Sequence, residues 1–392
     1  MRVLIAPDGF GGTLTAQQAA EAIAAGWSDA APSTDLDLLP LSDGGPGFVS
    51  ILHAVLGGEL VPVVVTGPLG DPVPAEYLVV TTDHGSTAYL ESAHAVGLHL
   101  VPPDRRDPTR TTSVGLGELI ADATRRGASR VVVGLGGSAT NDGGGGMLAA
   151  LGLDAGVLRS GGAALEALTA ADLSGLPDLR SRLAQVDLVV ACDVDVPLLG
   201  LHGASAGFSA QKGATPEQAQ ALERALGNLA HAVAQVLSGP GRRLVATGGP
   251  DDAADPRGLA RLPGAGAAGG LGFGLAALGA RLFGGAEVVA DAVGLDGRIG
   301  AADLVVTGEG TADWQSVHGK VVGHVAGRAQ AAGTPVVVVA GQVTLSRREW
   351  VTAGIDAAYA VADRPDQVAE SMADPAGTLR ARVARVARSW SR

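Results

Sequence analysis

Short runs of apolar residues recur along this chain, and several of them are followed by an acidic residue or by glycine. The first predicted strand covers residues 2–7 and precedes Asp8, and the second covers residues 35–39 and leads to Asp43 and Gly44. Continuous apolar runs are typical of strands that are buried on both faces of a parallel sheet. Two strand–aspartate–glycine–helix units near the start of the chain therefore predict parallel βαβ order.

Helical periodicity fills the segments between the strands. Ala19, Ile23 and Trp27 recur at four-residue spacing behind Thr15 and Gln18, which fit a capping box. The same kind of pattern predicts further helices at residues 48–56, 147–151 and 215–237, one that ends at 126 with Thr111 or Thr112 as its cap, and two that begin near 288 and 379. Further strands are predicted at residues 60–66, 77–82, 86–91, 131–133, 187–191, 303–307 and 336–340.

Residues 131–151 combine a high density of glycine with small polar residues. An apolar run at 131–133 breaks into a loop with two glycine clusters, and a helical pattern follows. In this layout, backbone N–H groups at a helix N-terminus can bind an anion, and glycine lets the backbone approach it. The residues predicted to line this anion loop are Gly137, Ser138, Thr140, Asn141 and Asp142.

Two other interpretations of this loop stay open. It is compatible with a plain strand-to-helix connection, although it carries more glycine and polar residues than a turn needs. Gly134, Gly136 and Ala139 also fit the G-x-G-x-x-A pattern of dinucleotide binding, with Asp154 downstream. That pattern is a weak signal and does not account for the Thr-Asn-Asp run that follows it. A nicotinamide-dependent dehydrogenase is the function that corresponds to this pattern.

The composition and net charge of the chain limit the cellular location and the binding partners that we expect for the protein. The 392 residues carry a formal net charge of −12, which argues against nucleic acid and against an anionic membrane as partner. Cys192 is the only cysteine, so no disulfide within the chain is possible. The longest uncharged stretch, between Arg261 and Arg281, is mostly glycine and alanine, which predicts a buried turn and helix rather than a membrane span. The chain starts on a strand pattern rather than a signal peptide, so we expect a cytoplasmic protein.

Lysine is almost absent from this chain, and the two lysines that occur lie next to glycine in polar segments. They are Lys212, before Gly213, and Lys320, after Gly319. A compact ammonium group is a good partner for a phosphoryl group, although two lysines can also remain by chance. The sequence therefore marks both lysines as candidate phosphate contacts.

Carboxylates recur directly after the predicted strands. Several such groups facing one cleft can hold Mg²⁺ together with substrate phosphates, and one of them can take the proton from an attacking hydroxyl. Any single member can instead be only a turn or cap residue, so the repetition carries the hypothesis. Carboxylates, a metal ion, lysine and glycine loops together are the requirements of phosphoryl transfer. The carboxylates concerned are Asp8, Asp43, Asp142, Asp193, Asp195 and Glu309.

Other known site motifs are missing from the sequence. Neither lysine completes a Walker A motif, and Ser138 lies in no G-x-S-x-G elbow, which disfavours a serine hydrolase. The eight histidines show no zinc-ligand spacing, and only His318, close to Lys320, stands near another candidate residue. Phosphoryl transfer therefore remains the chemistry that the pattern favours.

Motifs along nearly the whole chain resemble, in order, those of the type-I glycerate kinases. They are IAPDGFGGTLTA at the start, LSDGGPG, LVPPDRRDPTRTTSVGLGELI, GLGGSATNDGGGGML, CDVDVPL, GASAGFSAQKGAT, GAGAAGGLGFGL and DLVVTGEGTADWQSVHGK. The resemblance implies two α/β domains with mostly parallel sheets and an active site in the interdomain cleft. The first domain would be discontinuous and Rossmann- or flavodoxin-like, at residues 1–72 and 287–392, and the second would be inserted at residues 73–286.

The resemblance also implies an activity and a set of site residues. Members of this family transfer the γ-phosphate of ATP to D-glycerate with Mg²⁺ and commonly form 2-phosphoglycerate. On this chain the expected catalytic residues are Asp8, Asp193 and Lys320, with Asp8 or Asp193 as general base, and the expected metal ligands are Asp142 and Asp195. The residues expected to bind substrate or phosphate are Asp43, Gly44, Gly137, Ser138, Thr140, Asn141, Lys212, Glu309 and Asp313.

The chain departs from the family pattern at two positions that usually carry a cation. Gly11 follows Asp8 where a lysine is usual, and Thr311 follows Gly-Glu-Gly where an arginine is usual. Loss of two cations removes contacts to a phosphate or a carboxylate. A non-catalytic or altered-specificity relative, which binds nucleotide or a sugar acid without glycerate turnover, is therefore the alternative to an active kinase.

Overall fold

The computed structural model describes residues 1–238, 258–317 and 319–391. The strands are β1 Arg2–Ile5, β2 Asp35–Leu38, β3 Glu59–Thr66, β4 Pro72–Thr82, β5 Gly85–Glu91, β6 Arg130–Gly134, β7 Asp187–Ala191, β8 Arg281–Phe283, β9 Leu304–Thr307, β10 Thr311–Ala312, β11 Val336–Ala340, β12 Gln342–Val343 and β13 Ala357–Ala360. The α-helices are α1 Ala16–Ala30, α2 Phe48–Leu56, α3 Ser92–Val96, α4 Val114–Arg125, α5 Gly145–Ala150, α6 Leu176–Leu183, α7 Ala204–Phe208, α8 Pro216–Ser238, α9 Ala267–Ala277, α10 Gly285–Ala292, α11 Leu295–Gly300, α12 Val321–Ala332, α13 Arg347–Thr352, α14 Pro365–Ala373 and α15 Pro375–Trp390.

The chain divides into two compact units. Unit 1 consists of Met1–Asp43, Ser50–Leu56 and Gly284–Arg392, and unit 2 consists of Gly44–Val49 and Gly57–Phe283. The predicted division at residues 72–73 falls instead inside the β3–β4 hairpin. Strand β3 pairs antiparallel with β4 over its whole length and so belongs to the sheet of unit 2.

Unit 1 contains a five-stranded parallel sheet in the order β13-β11-β9-β1-β2. This is the order of flavodoxin-like folds, in which ligands bind at the carboxyl ends of the strands near the point where the order reverses. In this sheet the reversal lies between β1 and β9, which are followed by Asp8 and Glu309. The short strands β10 and β12 form a separate parallel pair beyond the ends of β9 and β11.

The predicted capping box of α1 is present. The Thr15 hydroxyl accepts a hydrogen bond from the Gln18 amide at 3.2 Å, and the Gln18 side chain accepts one from the Thr15 amide at 2.9 Å. Ile23 and Trp27 are fully buried in the core of unit 1. Helix α15 contributes to the same core, and its backbone at Arg380 approaches α1 so closely that a Cβ on Gly26 would clash with it.

Unit 2 contains a six-stranded sheet in the order β3-β4-β5-β6-β7-β8. The first two pairs are antiparallel and the remaining three are parallel. The two sheets confirm the predicted class of mostly parallel α/β architecture. Since β5, β6 and β7 are parallel neighbours, the segments that follow them leave the sheet at the same edge. That edge therefore brings Glu91, the loop at residues 135–144 and the segment at residues 192–197 together.

Of two local predictions in unit 2, one was wrong and one was confirmed. Helix α4 begins after Ser113 rather than after Thr111 or Thr112, because the amide and hydroxyl of Ser113 both donate to the buried Asp142. The uncharged stretch between Arg261 and Arg281 contains the buried helix α9, as predicted, and this helix is interrupted by left-handed residues at Ala268, Gly269 and Gly270. In the described part of the chain, no helix has the length and hydropathy needed to cross a membrane.

Candidate active site

The loops that follow β1 and β9 in unit 1 are joined through their backbones. The Asp8 amide donates to the Gly308 carbonyl at 2.8 Å, and the Asp8 carboxylate accepts a hydrogen bond from the Gly9 amide at 2.7 Å. Glycine is required at 308 because a Cβ there would clash with the Val339 carbonyl of β11. The close packing of these three strands places Asp8 next to the loop that carries Glu309.

Glu309 is the central acidic residue of unit 1. Its side chain is only 7% exposed, and its Oε1 has no hydrogen-bond partner. Burial raises the pKa of Glu309, and the nearby carboxylates of Asp313 and Asp43 raise it further, while the Ser316 hydroxyl and the Lys320 ammonium lower it. The structure therefore brings together four of the residues predicted for the site, and we call Asp43, Glu309, Asp313 and Lys320 the unit 1 cluster.

Asp313 has a second role in the loop after β10. Its Oδ1 accepts a hydrogen bond from the Gln315 amide at 2.8 Å, and its own amide donates to the Ser316 hydroxyl at 2.8 Å. These contacts form a tight turn. The turn carries Trp314, whose side chain is 63% exposed. His318, which the sequence places close to Lys320, lies outside the described residues.

In unit 2, Asp142 is fully buried and accepts four hydrogen bonds. Its Oδ2 accepts from the Ser113 amide and hydroxyl, both at 2.8 Å, and from the Gly146 amide at 3.2 Å. Its Oδ1 accepts from the Gly144 amide at 3.2 Å. Burial raises the pKa of Asp142, and these hydrogen bonds oppose the rise. The contacts favour a role in holding the first turns of α4 and α5 over the predicted role as a metal ligand.

The N-terminus of α5 differs from the amide cradle that the sequence suggests. The amides of Gly144 and Gly146 already donate to Asp142, and the Met147 amide donates to the Ser113 hydroxyl at 3.0 Å. In the loop that precedes them, Gly137 is exposed while Ser138 is buried. The first amides of α5 therefore already have acceptors within the protein and do not form a free anion cradle.

Lys212 is the buried cation of unit 2, with an exposed fraction of 2%. Its ammonium donates to the Ser138 hydroxyl at 3.0 Å and to the Thr140 carbonyl at 2.6 Å. Burial lowers the pKa of Lys212 to about 7, and the Asp142 carboxylate partly opposes this shift. Lys212 therefore fixes the glycine loop to the segment before α8 and compensates part of the buried charge of Asp142.

Two buried polar atoms of the glycine loop have no hydrogen-bond partner. They are the hydroxyl of Thr140 and Oδ1 of Asn141, and both side chains are fully buried. The Asn141 amide group donates to the Ser205 hydroxyl at 3.0 Å. Such groups usually mark a place where water or a ligand binds. Sequence reasoning missed Ser205, although it lies in the same GASAGFSAQKG motif as Lys212.

The glycines of the dinucleotide-like pattern serve the packing of unit 2. A Cβ at Gly134 would lie 2.6 Å from the Gly44 carbonyl, and a Cβ at Gly136 would lie 2.7 Å from the Cα of Gly45. Gly44 and Gly45 therefore pack directly on Gly134 and Gly136, which explains both glycines of the pattern without a dinucleotide. Glu91, which the sequence analysis did not include in the site, accepts hydrogen bonds from the Gly47 and Val49 amides at 3.1 and 3.3 Å.

The segment after β7 carries the remaining predicted residues. Asp193 is half-buried, whereas Asp195 is exposed. Cys192 is buried, and burial together with both carboxylates raises the pKa of its thiol to about 12. The thiol therefore stays protonated and is not a candidate nucleophile.

Comparisons with known proteins identify the family. The model of the glycerate kinase family matches residues 3–391. The chain belongs to the glycerate kinase family. It is 42% identical to a glycerate kinase from Bacillus subtilis, over 92% of this chain and 90% of that protein, and 40% identical to a glycerate 2-kinase from Escherichia coli, with the same coverages. A solved structure from Salmonella typhimurium LT2, whose assignment as glycerate kinase 2 is provisional, has a TM-score of 0.79 at 40% identity and covers 100% of this chain.

The described residues contain no group of three or more histidine, cysteine or acidic side chains that is arranged to hold a metal ion. Kinases do not need such a group, because Mg²⁺ is usually held by one or two carboxylates and the substrate phosphates. The unpartnered buried oxygen of Glu309, beside Asp43 and Asp313, fits this requirement. Asp142 fits it less well because its carboxylate already accepts four hydrogen bonds.

The two lysines are expected to differ in their reaction with an amine-specific acetylating reagent. Lys320 is half-buried and should react in the native protein, whereas Lys212 is 2% exposed and should react only after unfolding. Peptide mass spectrometry before and after addition of denaturant measures both sites. Acetylation of Lys212 in the native protein at the rate of Lys320 would contradict its buried position.

Proposed function

We propose that the protein is an ATP-dependent kinase that transfers the γ-phosphate of ATP to D-glycerate and forms 2-phosphoglycerate. The observation that carries the proposal is the unit 1 cluster, in which a buried carboxylate with an unpartnered oxygen lies among two other carboxylates and a lysine. The names of the relatives from Bacillus subtilis and Escherichia coli support glycerate as the acceptor. The carboxylates and the lysine of the cluster are the groups that phosphoryl transfer requires.

In unit 1, Glu309 and Asp43 are the proposed groups for Mg²⁺, and Lys320 is the proposed contact to phosphate oxygens. Bound Mg²⁺ would neutralise the charge of the phosphates. Asp313 shapes the loop that carries these groups, as its turn contacts indicate. Asp8 is one candidate for the general base, because it lies at the end of β1 next to the loop of Glu309. It would take the proton of the glycerate hydroxyl while that oxygen attacks the γ-phosphorus and ADP leaves.

In unit 2, polar groups of the glycine loop are proposed to bind the acid or its phosphorylated product. The unpartnered atoms of Thr140 and Asn141 support this role, as does the position of Lys212 beside Ser138. Gly137 and Gly44 would let the backbone approach the ligand. Asp193 is the other candidate for the general base. A role for Asp142 and Asp195 as metal ligands stays a prediction.

A coupled assay of ADP formation with ATP, Mg²⁺ and a panel of short hydroxy acids tests the function. We expect D-glycerate to give the highest kcat/KM, and ³¹P NMR of the product to distinguish the 2-phosphate from the 3-phosphate. No turnover on any acid would reject an active kinase. Calorimetric binding of ATP without turnover would favour the alternative, a relative that binds nucleotide or a sugar acid without catalysis.

Replacing Glu309 with glutamine is expected to change activity and stability in opposite directions. The raised pKa means that the folded protein holds more protons than the unfolded chain between pH 4.5 and that raised value. The free energy of unfolding therefore falls as the pH rises from about 4.5 through the pKa of the folded state. Glu309→Gln should remove this fall and raise stability at neutral pH. It should also lower kcat/KM by at least about tenfold, because it removes the charge proposed for Mg²⁺.

Chemical denaturation between pH 4 and pH 8 and the coupled assay measure the two effects. Glu370→Gln, at an exposed residue of α14, is the matched control and should change neither. Equal pH dependence in Glu309→Gln and the wild type would contradict the environment assigned to Glu309. The cytoplasmic location expected from the sequence stays a prediction.

A further inference from the structure

A cavity of about 150 Å³ in unit 1 lies at the carboxyl ends of β1, β9, β11 and β13. Its walls come from the loop after Asp8, from β10 and β12, and from α14 and α15. Apolar side chains such as Phe10, Val368 and Leu379 form most of the lining, and Thr13, Gln342 and Ser371 add hydroxyl and amide groups. The residue types match a small-molecule site, which is mostly apolar with a few polar groups that orient the ligand.

The cavity is electrically neutral. Among the described residues that line it, none carries a charged side chain. A carboxylate or a phosphate would lose hydration there without gaining an ionic partner, which disfavours both as the occupant. The volume is close to that of an apolar cavity that accepts one aromatic ring. A flat, uncharged ring with polar atoms at its edge fits both the size and the chemistry.

The floor of the cavity is backbone that packs directly on backbone. A Cβ at Gly310 would lie 2.8 Å from the Gly11 amide nitrogen, and a Cβ at Gly341 would lie 2.5 Å from the Gly310 carbonyl oxygen. The Gln342 amide donates to the Gly310 carbonyl at 3.0 Å. Because the loops after β1, β9 and β11 are joined in this way, the floor offers a preformed surface to a ring.

Residues that line the cavity lie close in the sequence to the acidic residues of the proposed site. Gly310 follows Glu309 directly, and Gly11 lies three residues after Asp8. A molecule with a neutral ring in the cavity would therefore have its remaining groups near carboxylates and Lys320. A nucleotide has this division, with an uncharged base and an anionic phosphate chain that binds Mg²⁺ and lysine.

We infer that this cavity binds the base of the nucleotide substrate. The inference rests on the proposed use of ATP and adds to it the location of the base in unit 1, between the glycine floor and α14. Base binding would then depend on the side chains of α14 that face the cavity. None of the residues of α14 is fully buried, so substitutions on this helix should leave the core of unit 1 intact.

The test compares two tryptophan substitutions on α14. Ser371→Trp should fill the cavity, and Ala369→Trp places the same side chain at an exposed residue of the same helix that does not line the cavity. Adenosine is the probe, titrated by calorimetry at millimolar concentration, with inorganic triphosphate as a probe of the phosphate contacts. We expect Ser371→Trp to weaken adenosine binding by at least about tenfold and Ala369→Trp by less than about twofold. Triphosphate binding should be equal in all three proteins.

Photolabelling gives the location independently. After irradiation with 8-azidoadenosine, peptide mass spectrometry should find the label at residues 9–13 or 361–379 of the wild type, and the label should be lost in Ser371→Trp. Adenosine binding that is unchanged in Ser371→Trp, or a label confined to other segments, would overturn the inference. Absence of adenosine binding in the wild type would also overturn it, even if ATP supports turnover. Adenosine binding that Ser371→Trp removes, in a protein without turnover, would reject the kinase proposal alone.

Discussion

Replacing Lys212 with methionine is expected to lower the free energy of unfolding by about 3 kcal/mol, because removal of one partner leaves buried groups uncompensated. The Ser138 hydroxyl and the Thr140 carbonyl would lose their donor, and the buried Asp142 carboxylate would lose the nearby positive charge. Methionine has a similar length and no charge, so the effect reports the ammonium group rather than a cavity.

The pH dependence of stability provides a second measurement on the same substitution. The pKa of Lys212 falls from 10.5 to about 7 on folding, so the unfolded chain binds more protons between these values. The free energy of unfolding should therefore rise as the pH increases from about 7, and this contribution should be missing in Lys212→Met. Denaturant titrations at several pH values measure both effects.

Lys320→Met is the matched control for stability, since it removes the only other lysine, at a half-buried position. Its effect on the free energy of unfolding should stay below about 1 kcal/mol, as is typical of partly exposed charges. A double-mutant cycle of Lys212→Met with Asp142→Asn should show coupling between the two buried groups. A loss below about 1 kcal/mol in Lys212→Met would show that the ammonium does not hold the glycine loop.

Lys320→Met is expected to lower kcat/KM for ATP by about 100-fold, because it removes a positive charge proposed to stabilise the transferring phosphoryl group. Lys320 precedes α12 and acts on the charge of Glu309, so its ammonium lies near the carboxylates of the unit 1 cluster. The coupled assay measures this effect at saturating D-glycerate. Since stability should change little, a loss of activity cannot be attributed to unfolding.

Arg348→Met provides the activity control for Lys320→Met. Arg348 is an exposed cation of α13 in the same unit, and its loss changes the net charge by the same amount. Activity in Arg348→Met should stay within about twofold of the wild type, because solvent and salt screen the interactions of an exposed charge. Equal losses in the two variants would indicate a general charge effect, and full activity in Lys320→Met would remove Lys320 from the mechanism.

Local patterns in the sequence predicted most of the secondary structure. The α1 capping box and the strands at residues 187–191 and 336–340 have the predicted positions, because hydrophobic periodicity and caps depend on residues within a few positions of each other. The acidic residues after strands also followed from the sequence, since parallel strands end at one edge of a sheet. These local rules could not decide which of the candidate side chains is buried or already paired.

The tertiary structure decided the state of each candidate side chain. Asp142 and Glu309 both follow strand ends that contain glycine. Asp142 nevertheless accepts four hydrogen bonds, from Ser113 before α4 and from the N-terminus of α5, whereas one oxygen of Glu309 has no partner. Lys212 likewise looks like a phosphate contact in the sequence but is buried against Ser138. The sequence by itself determined the elements and the residue types at the strand ends. Only the packing of segments far apart in the chain determined which of those groups are desolvated and which remain available to a ligand.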